Sequence, residues 1–382
     1  MNAKKLVEIL KKHNQPAFRL KQIQKAVFKD GISVWAEITT LSKELREKLK
    51  SENILSFTVE KVLTAKDGQS VKALLKLQDG KLIETVLLSP LPGAWSVCIS
   101  CQVGCPMGCR FCATGGMGLQ RNLTAEEISD QVLFWKQYIM KNFKFQISNF
   151  KSNPNDKKQN KNQKIENCKL IASPRLVRLW RKNYDVTSIV YMGMGEPFMN
   201  WSEVGESLKN LTDPELFGFG SRSISVSTAG IPEGIERMAQ EFPQVNLALS
   251  LHFATDKKRD EFMPVNKKDN LENLKIALQK YFQKTRRKVF IEYVLLENIN
   301  DAKKDADELA NYLKSIGNPQ LLHVNLIRYN TTSGNFQPSS KNKTQEFKNR
   351  LLQRGVGATV RKSLGEEIQG ACGQLAGRQI EK

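Results

Sequence analysis

The chain is 382 residues long, 40% hydrophobic and 26% charged, a balance that excludes wholesale disorder and supports a sizeable core without disulfide staples. Its 59 Lys+Arg against 39 Asp+Glu leave a net charge of +20. That excess favours a polyanionic partner, RNA or DNA above all, with a solvated lysine-rich surface as the alternative that charge alone does not exclude. No run long and apolar enough to span a membrane occurs, and the opening MNAKKLVEILKKHNQ lacks the apolar stretch of a signal peptide. The expected location is cytoplasmic.

In chain order, the first 60 or so residues read as helices. Leu6, Ile9 and Leu10 share one face, as do Leu20, Ile23, Val27 and Phe28. The interleaved Lys4, Lys5, Lys11, Lys12, Arg19, Lys21 and Lys25 suit a small module touching phosphates, though a solvated helix face explains them equally well. From Phe57 to Leu88 short alternating runs, VKALLKL and KLIETVLL, break at Asp79-Gly80 and predict a β-hairpin or small β-extension.

From about Ala94, strand-like runs alternate with helical patterns. Strands are expected at 96–100, 187–192, 224–228, 245–251, 288–296 and 321–327. This alternation predicts an α/β fold with a parallel sheet, either a barrel or an open sheet. Thr124-Ala125-Glu126-Glu127 has the form of a capping box at a helix start. The Lys- and Asn-rich stretch 151–169, without an aromatic, reads as the centre of a disordered insertion over 145–183, with Cys168 a bystander at its edge. The organisation expected is a helical accessory domain (1–60), a β-extension (61–93), a core (94–345) and a C-terminal segment (346–382).

Five of the seven cysteines fall between Cys98 and Cys112, which points to metal or redox chemistry. Two readings compete. Cys98 and Cys101 with Cys109 and Cys112 could form a four-thiolate zinc knot, in a non-catalytic RNA-binding protein. Alternatively Cys105, Cys109 and Cys112, spaced C-x3-C-x2-C, could hold three irons of a [4Fe–4S] cube and leave the fourth open to a ligand. Several polar residues also end predicted strands: Gly193, Gly195 and Glu196 in YMGMGEP, Ser227, Ser250-Leu251-His252, and Asn330. In a βα barrel those ends form the active face.

The second pattern, with Phe111 before the third cysteine, resembles the radical S-adenosylmethionine (SAM) enzymes. Beyond that, RLKQIQKAVF, IETV (83–86), CISCQVGC (98–105), GMGEPF, STAG, SLH, HVNLIRYN, TVRKS and ACGQLAG (371–377) resemble the rRNA/tRNA adenine-C2 methyltransferases, sisters of the adenine-C8 rRNA methyltransferases. The likeness covers nearly the whole chain outside 145–183. It implies a partial (β/α)6 radical SAM barrel with an N-terminal helical accessory domain and a β-extension. It also implies a [4Fe–4S] cluster on Cys105, Cys109 and Cys112, and SAM bound by Gly195, Glu196, Ser227, Ser250, Leu251, His252 and Asn330.

By the same resemblance two SAM molecules are used per turnover. Cys372 takes a methyl from one, and a radical made from the other activates that methyl for addition to adenine C2. Glu84 removes the C2 proton, and Cys98 releases the product by forming a disulfide with Cys372. The implied partners are 23S rRNA, tRNA next to the anticodon and a flavodoxin-like one-electron reductant; nothing requires more than a monomer. Arg361 is a further candidate for phosphate contact. Two features depart from the family: Cys101 stands where serine is usual, and the basic insertion is extra. HVNLIRYN resembles the C8 sister group, whereas Pro197 after Glu196 resembles the C2 group.

Overall fold

The computed structural model describes residues 3–91, 94–152, 185–332 and 335–377. The chain opens with three short helices, α1 (Ala3–Lys12), α2 (Phe18–Gln24) and α3 (Lys43–Leu49). The faces marked by periodicity are the buried ones, including Leu6, Leu10, Ile23, Val27 and Phe28. Phe28 packs on Phe217 with ring centroids 4.8 Å apart, joining this helical unit to the body of the protein.

The expected hairpin is β2 (Ser70–Leu77) with β3 (Leu82–Leu91), antiparallel, Leu74 opposite Glu84. An additional strand, β1 (Phe57–Thr64), pairs antiparallel with β2. Its side chains after Phe57 are mostly exposed, as suits a sheet edge, and so it carries only a weak apolar alternation. β3 pairs antiparallel with β4 (Ala94–Cys98), so the extension and the core share one ten-stranded sheet.

All six expected parallel strands are present: β4, then β7 (Val186–Tyr191), β8 (Ile224–Thr228), β9 (Asn246–Ser250), β10 (Val289–Leu295) and β11 (Leu322–Arg328), each parallel to the next. A seventh, β12 (Ala358–Val360), adds to β11; three residues with two of them exposed leave no periodic signal. Between β4 and β7 the small hairpin β5 (Gln102–Gly104) and β6 (Leu119–Asn122) brackets the cysteine loop.

The crossover helices are α4 (Ala125–Ser152), α5 (Trp201–Thr212), α6 (Pro232–Glu241), α7 (Asp256–Phe262), α8 (Leu271–Thr285), α9 (Lys303–Ile316) and α10 (Lys341–Gln353). The capping box forms: the Glu127 amide donates to Thr124 Oγ1 at 3.2 Å and the Thr124 amide to Glu127 Oε2 at 3.0 Å. α4 runs on to Ser152, so the insertion expected from 145 begins as helix; Phe145, Ile147 and Phe150 extend the apolar pattern there. The rest of it, with Cys168, lies outside the described residues. Among those described, no helix is long and apolar enough to cross a membrane.

Candidate active site

The site lies at the C-terminal ends of the parallel strands, where one cavity is lined by Cys105, Cys109, Cys112, Gly193, Gly195 and Glu196 on one side. Ser227, Ser250, His252, Glu292, Asn330, Arg361 and Cys372 complete the wall. The cysteine loop is pinned to neighbouring elements. The Cys105 amide donates to Gly118 O (3.0 Å) and the Arg110 amide to Phe262 O (3.0 Å). Phe111 meets the His252 ring edge to face at 5.0 Å. Burial pushes the Cys105 thiol up to about 12 and raises Cys109 too, so held as thiolates they need a cation to compensate.

Cys98 and Cys101 pack in the main core, whereas the three loop cysteines pack against a separate small cluster of Met107, Phe111, Phe253, Phe262 and Met263. The zinc knot needs these two groups merged, and they are not. Three half-buried thiols on one loop fit an iron–sulfur cluster that keeps one iron open.

Opposite the loop, the turn after β7 is tight. Gly195 has φ +106, and a Cβ there would fall 2.6 Å from Gln102 Cβ, so glycine is needed to bring this turn against β5. It positions Glu196, whose amide donates to Gln102 Oε1 (2.8 Å) and whose carboxylate accepts from the amides of Ala229 (2.6 Å) and Phe198 (3.1 Å). Burial still pushes Glu196 up to about 7.

Ser227 and Ser250 face each other on β8 and β9, hydroxyls 3.1 Å apart. His252, at φ +57, accepts the Val294 amide on Nδ1 (3.1 Å); burial lowers its pKa to about 3, so the ring is neutral with Nε2 as the donor. Asn300 holds this corner by donating to the carbonyls of His252 (2.9 Å) and Val294 (2.8 Å). The Leu251 side chain is fully buried in the core and does not line the cavity, so only its backbone could face a cofactor there. β9 ends at Ser250, and the chain turns sharply there, with the Leu251 amide bonded to Leu249 O (2.9 Å) and His252 in the left-handed region.

Cys372 rides on the irregular segment after β12 and is exposed to the cavity it lines. Asn330 Nδ2 donates to its carbonyl (3.1 Å), so Asn330 serves the cysteine segment as well as the wall. Cys98, at the end of β4, lies behind that wall and is buried. Desolvation raises both thiols; the Cys372 charge raises Cys98 further, while Arg361 lowers both. Cys98 and Cys372, 274 apart in sequence (372 − 98), thus come within electrostatic reach of each other.

Two further candidates take these places. Glu84 does not line the cavity: it is buried, its Oε1 bound by Lys72 Nζ (2.7 Å) and its Oε2 by the amides of Ala376 (2.7 Å) and Gly377 (3.1 Å). Arg361, 42% exposed on the cavity wall, also reaches Glu292 Oε2 at 3.6 Å and stays open to a phosphate. Glu292 itself escaped sequence reading, as a lone acid inside the apolar run KVFIEYVLL; it is buried, with Oε1 bound by Asn325 and Oε2 lacking a hydrogen-bond donor.

A parallel βα sheet with three loop thiols, a glycine–glutamate turn and a further cysteine at one end defines a radical SAM enzyme. The similarities agree. The family described as "Ribosomal RNA large subunit methyltransferase N-terminal domain" matches residues 1–55. A probable dual-specificity RNA methyltransferase RlmN of Carboxydothermus hydrogenoformans is 38% identical over 100% of this chain and 98% of its own. A ribosomal RNA large subunit methyltransferase Cfr of Clostridium botulinum (strain Okra) is 37% identical over 97% and 96%. A radical SAM methyltransferase from Sphaerobacter thermophilus superposes with a TM-score of 0.80 at 35% identity, covering 99% of this chain and 98% of that one. The chain belongs to the RlmN/Cfr family of radical SAM RNA methyltransferases.

Proposed function

We propose that this enzyme methylates C2 of an adenine in 23S rRNA, and of an adenine next to the anticodon in tRNA, with Cys372 carrying the methyl. The observation that carries this reading is Cys372 on the wall of the same cavity as Cys105, Cys109 and Cys112, with Cys98 just behind it. The three loop thiolates would hold a [4Fe–4S] cluster. When bound and reduced by a flavodoxin-like protein, that cluster supplies the electron that turns SAM into a carbon radical, the reagent an electron-poor ring carbon requires.

The chain's own residues do the rest. Glu196 takes the α-amino group of SAM, and Ser227, Ser250 and His252 offer hydroxyls and an N–H to its remainder. Cys372, as thiolate, accepts a methyl from a first SAM; a second SAM serves the activation. Arg361 favours that thiolate and the Cys98 thiolate alike. After the carbon is transferred, Cys98 as thiolate attacks Cys372 sulfur: the S–S bond forms as the C–S bond that tethers RNA breaks, and the bonding pair leaves on the carbon, which takes up a proton to become the methyl group. Glu84 takes the C2 proton once its hydrogen bonds to Ala376 and Gly377 have opened.

The basic N-terminal helical unit (1–60) contacts RNA phosphates, the core (94–345) holds the cofactors and the C-terminal segment (346–382) holds the methyl, in a cytoplasmic monomer. The adenine must leave its stack to reach the cavity. Pro197 after Glu196 favours C2; HVNLIRYN and the similar identity to Cfr relatives make C8 the second reading. Mass spectrometry of nucleosides from modified RNA decides: methyl at C2 supports the proposal, and methyl at C8 with none at C2 overturns it.

A further inference from the structure

β2 and β3 put a lysine and a glutamate on one face of the extension, Lys72 diagonal to Glu84 across the ladder. Both side chains are 3% exposed, and their Nζ–Oε1 distance is 2.7 Å. What distinguishes this pair is where its remaining bonds go. Lys72 Nζ also donates to the carbonyl of Gln369 at 3.1 Å. Glu84 Oε2 accepts from the amides of Ala376 and Gly377. Cys372 lies between these two attachment points. A buried ion pair is weak evidence for stability alone, and the outward bonds of this one all go to the two flanks of a single cysteine.

Other contacts to this segment come from the core: Thr114 Oγ1 donates to Leu375 O (2.5 Å), the Ala113 amide to Gly373 O (2.8 Å) and Gln374 Nε2 to Thr331 O (3.0 Å). These touch the segment after Cys372 singly. The ion pair is what ties both flanks to one point.

We propose that the Lys72–Glu84 pair is a clamp that seats the Cys372 loop over the cavity, with Lys72 a positioning residue, and that Glu84 is freed for proton transfer only when the loop lifts. This rests on Cys372 being the methyl-carrying sulfur. While the loop is down, Lys72 and two amides occupy the carboxylate; when it rises, those amides leave and the oxygen is exposed. One contact thereby sets loop position and the availability of Glu84 in a fixed order.

The test uses the full-length enzyme with its cluster and the variants Lys72→Met, Lys72→Arg and Lys72→Met/Glu84→Gln. Three quantities are read: hydrogen exchange at the amides of Ala376 and Gly377, the rate of Cys372 alkylation by N-ethylmaleimide, and 5′-deoxyadenosine formed per methyl delivered to RNA. With Lys72→Met each is expected to rise about tenfold, as loss of a charge-assisted bond to the loop requires, while Lys72→Arg stays near wild type. Folded Lys72→Met with wild-type exchange and alkylation overturns the clamp. If that variant does not fold, the double variant, which leaves no lone buried charge, takes its place with the same expected and refuting results. Wild-type enzyme in which Cys372 is never methylated would instead sink the methyl-carrier reading, and the exchange data would still judge the clamp.

Discussion

Asn300 offers a sharp check on how the cavity is held in shape. Its side chain satisfies three buried backbone groups: it donates to the carbonyls of His252 (2.9 Å) and Val294 (2.8 Å) and accepts the Leu296 amide on Oδ1 (2.8 Å). The residue is fully buried. Asn300→Ala orphans all three, at roughly 1–3 kcal/mol each, and the vacated space can admit one water that recovers part of this. A net loss of about 2–4 kcal/mol follows, or a fall in Tm of roughly 2.5–5 °C for a chain of this size. Because His252 and Val294 line the cavity, SAM affinity falls with it. Asn300→Asp gives the sign. Its carboxylate would face two carbonyl oxygens, so its folded pKa lies above the unfolded value of about 3.9. Stability is then kept at low pH and lost as pH rises, so the Tm deficit against wild type widens from pH 5 to pH 8. Calorimetric scans of both variants measure this; an alanine variant within 1 °C of wild type, or an aspartate deficit that shrinks with pH, refutes the reasoning.

Three other variants report on the chemistry. Cys98→Ala should accumulate protein covalently bound to RNA, seen as a nuclease-sensitive shift on denaturing gels; free RNA with normal turnover would remove Cys98 from the resolving role. Cys109→Ala, made anaerobically, should lose most of its iron and brown colour, and an unchanged iron-to-protein ratio would assign the cluster elsewhere. Glu196→Gln should weaken SAM binding by about tenfold or more, the value of one charge-assisted bond in a buried site, read by isothermal titration; wild-type affinity would take Glu196 out of the cofactor site.

The fold was largely legible because the parallel strands are buried on both sides and read as continuous apolar runs bounded by polar strand ends. The cofactor loop was legible because three thiols at close spacing form a local signal. What escaped was non-local. Glu292 and Lys72 look like charges interrupting apolar strands, and only the pairing of β10 with β11 and of β2 with β3 shows what they face. Glu84 was found by likeness, yet the two amides on its Oε2 lie 292 and 293 residues away, beyond any sequence pattern. The SLH motif names three neighbours, but the turn that follows β9 gives the cavity the side chains of only the first and third.

The two halves of the site are fastened differently, and the proposed chemistry explains why. The loop thiols and Glu196 stand on turns fixed by sheet register and backbone bonds, as a cofactor that must not move requires. Cys372 sits after β12 on a segment whose backbone passes through left-handed conformations at Gly365, Gln369, Gly373 and Gly377. Its ties to the body are mostly side-chain bonds from Lys72, Glu84, Thr114 and Asn330, with one backbone bond from Ala113. Such bonds open one at a time at about 0.5–3 kcal/mol each, whereas a strand must leave its ladder cooperatively. A sulfur that must first meet SAM, then an extruded base and finally Cys98 needs this kind of fastening. A Cys372 built into a strand could reach one of those three partners and never the other two.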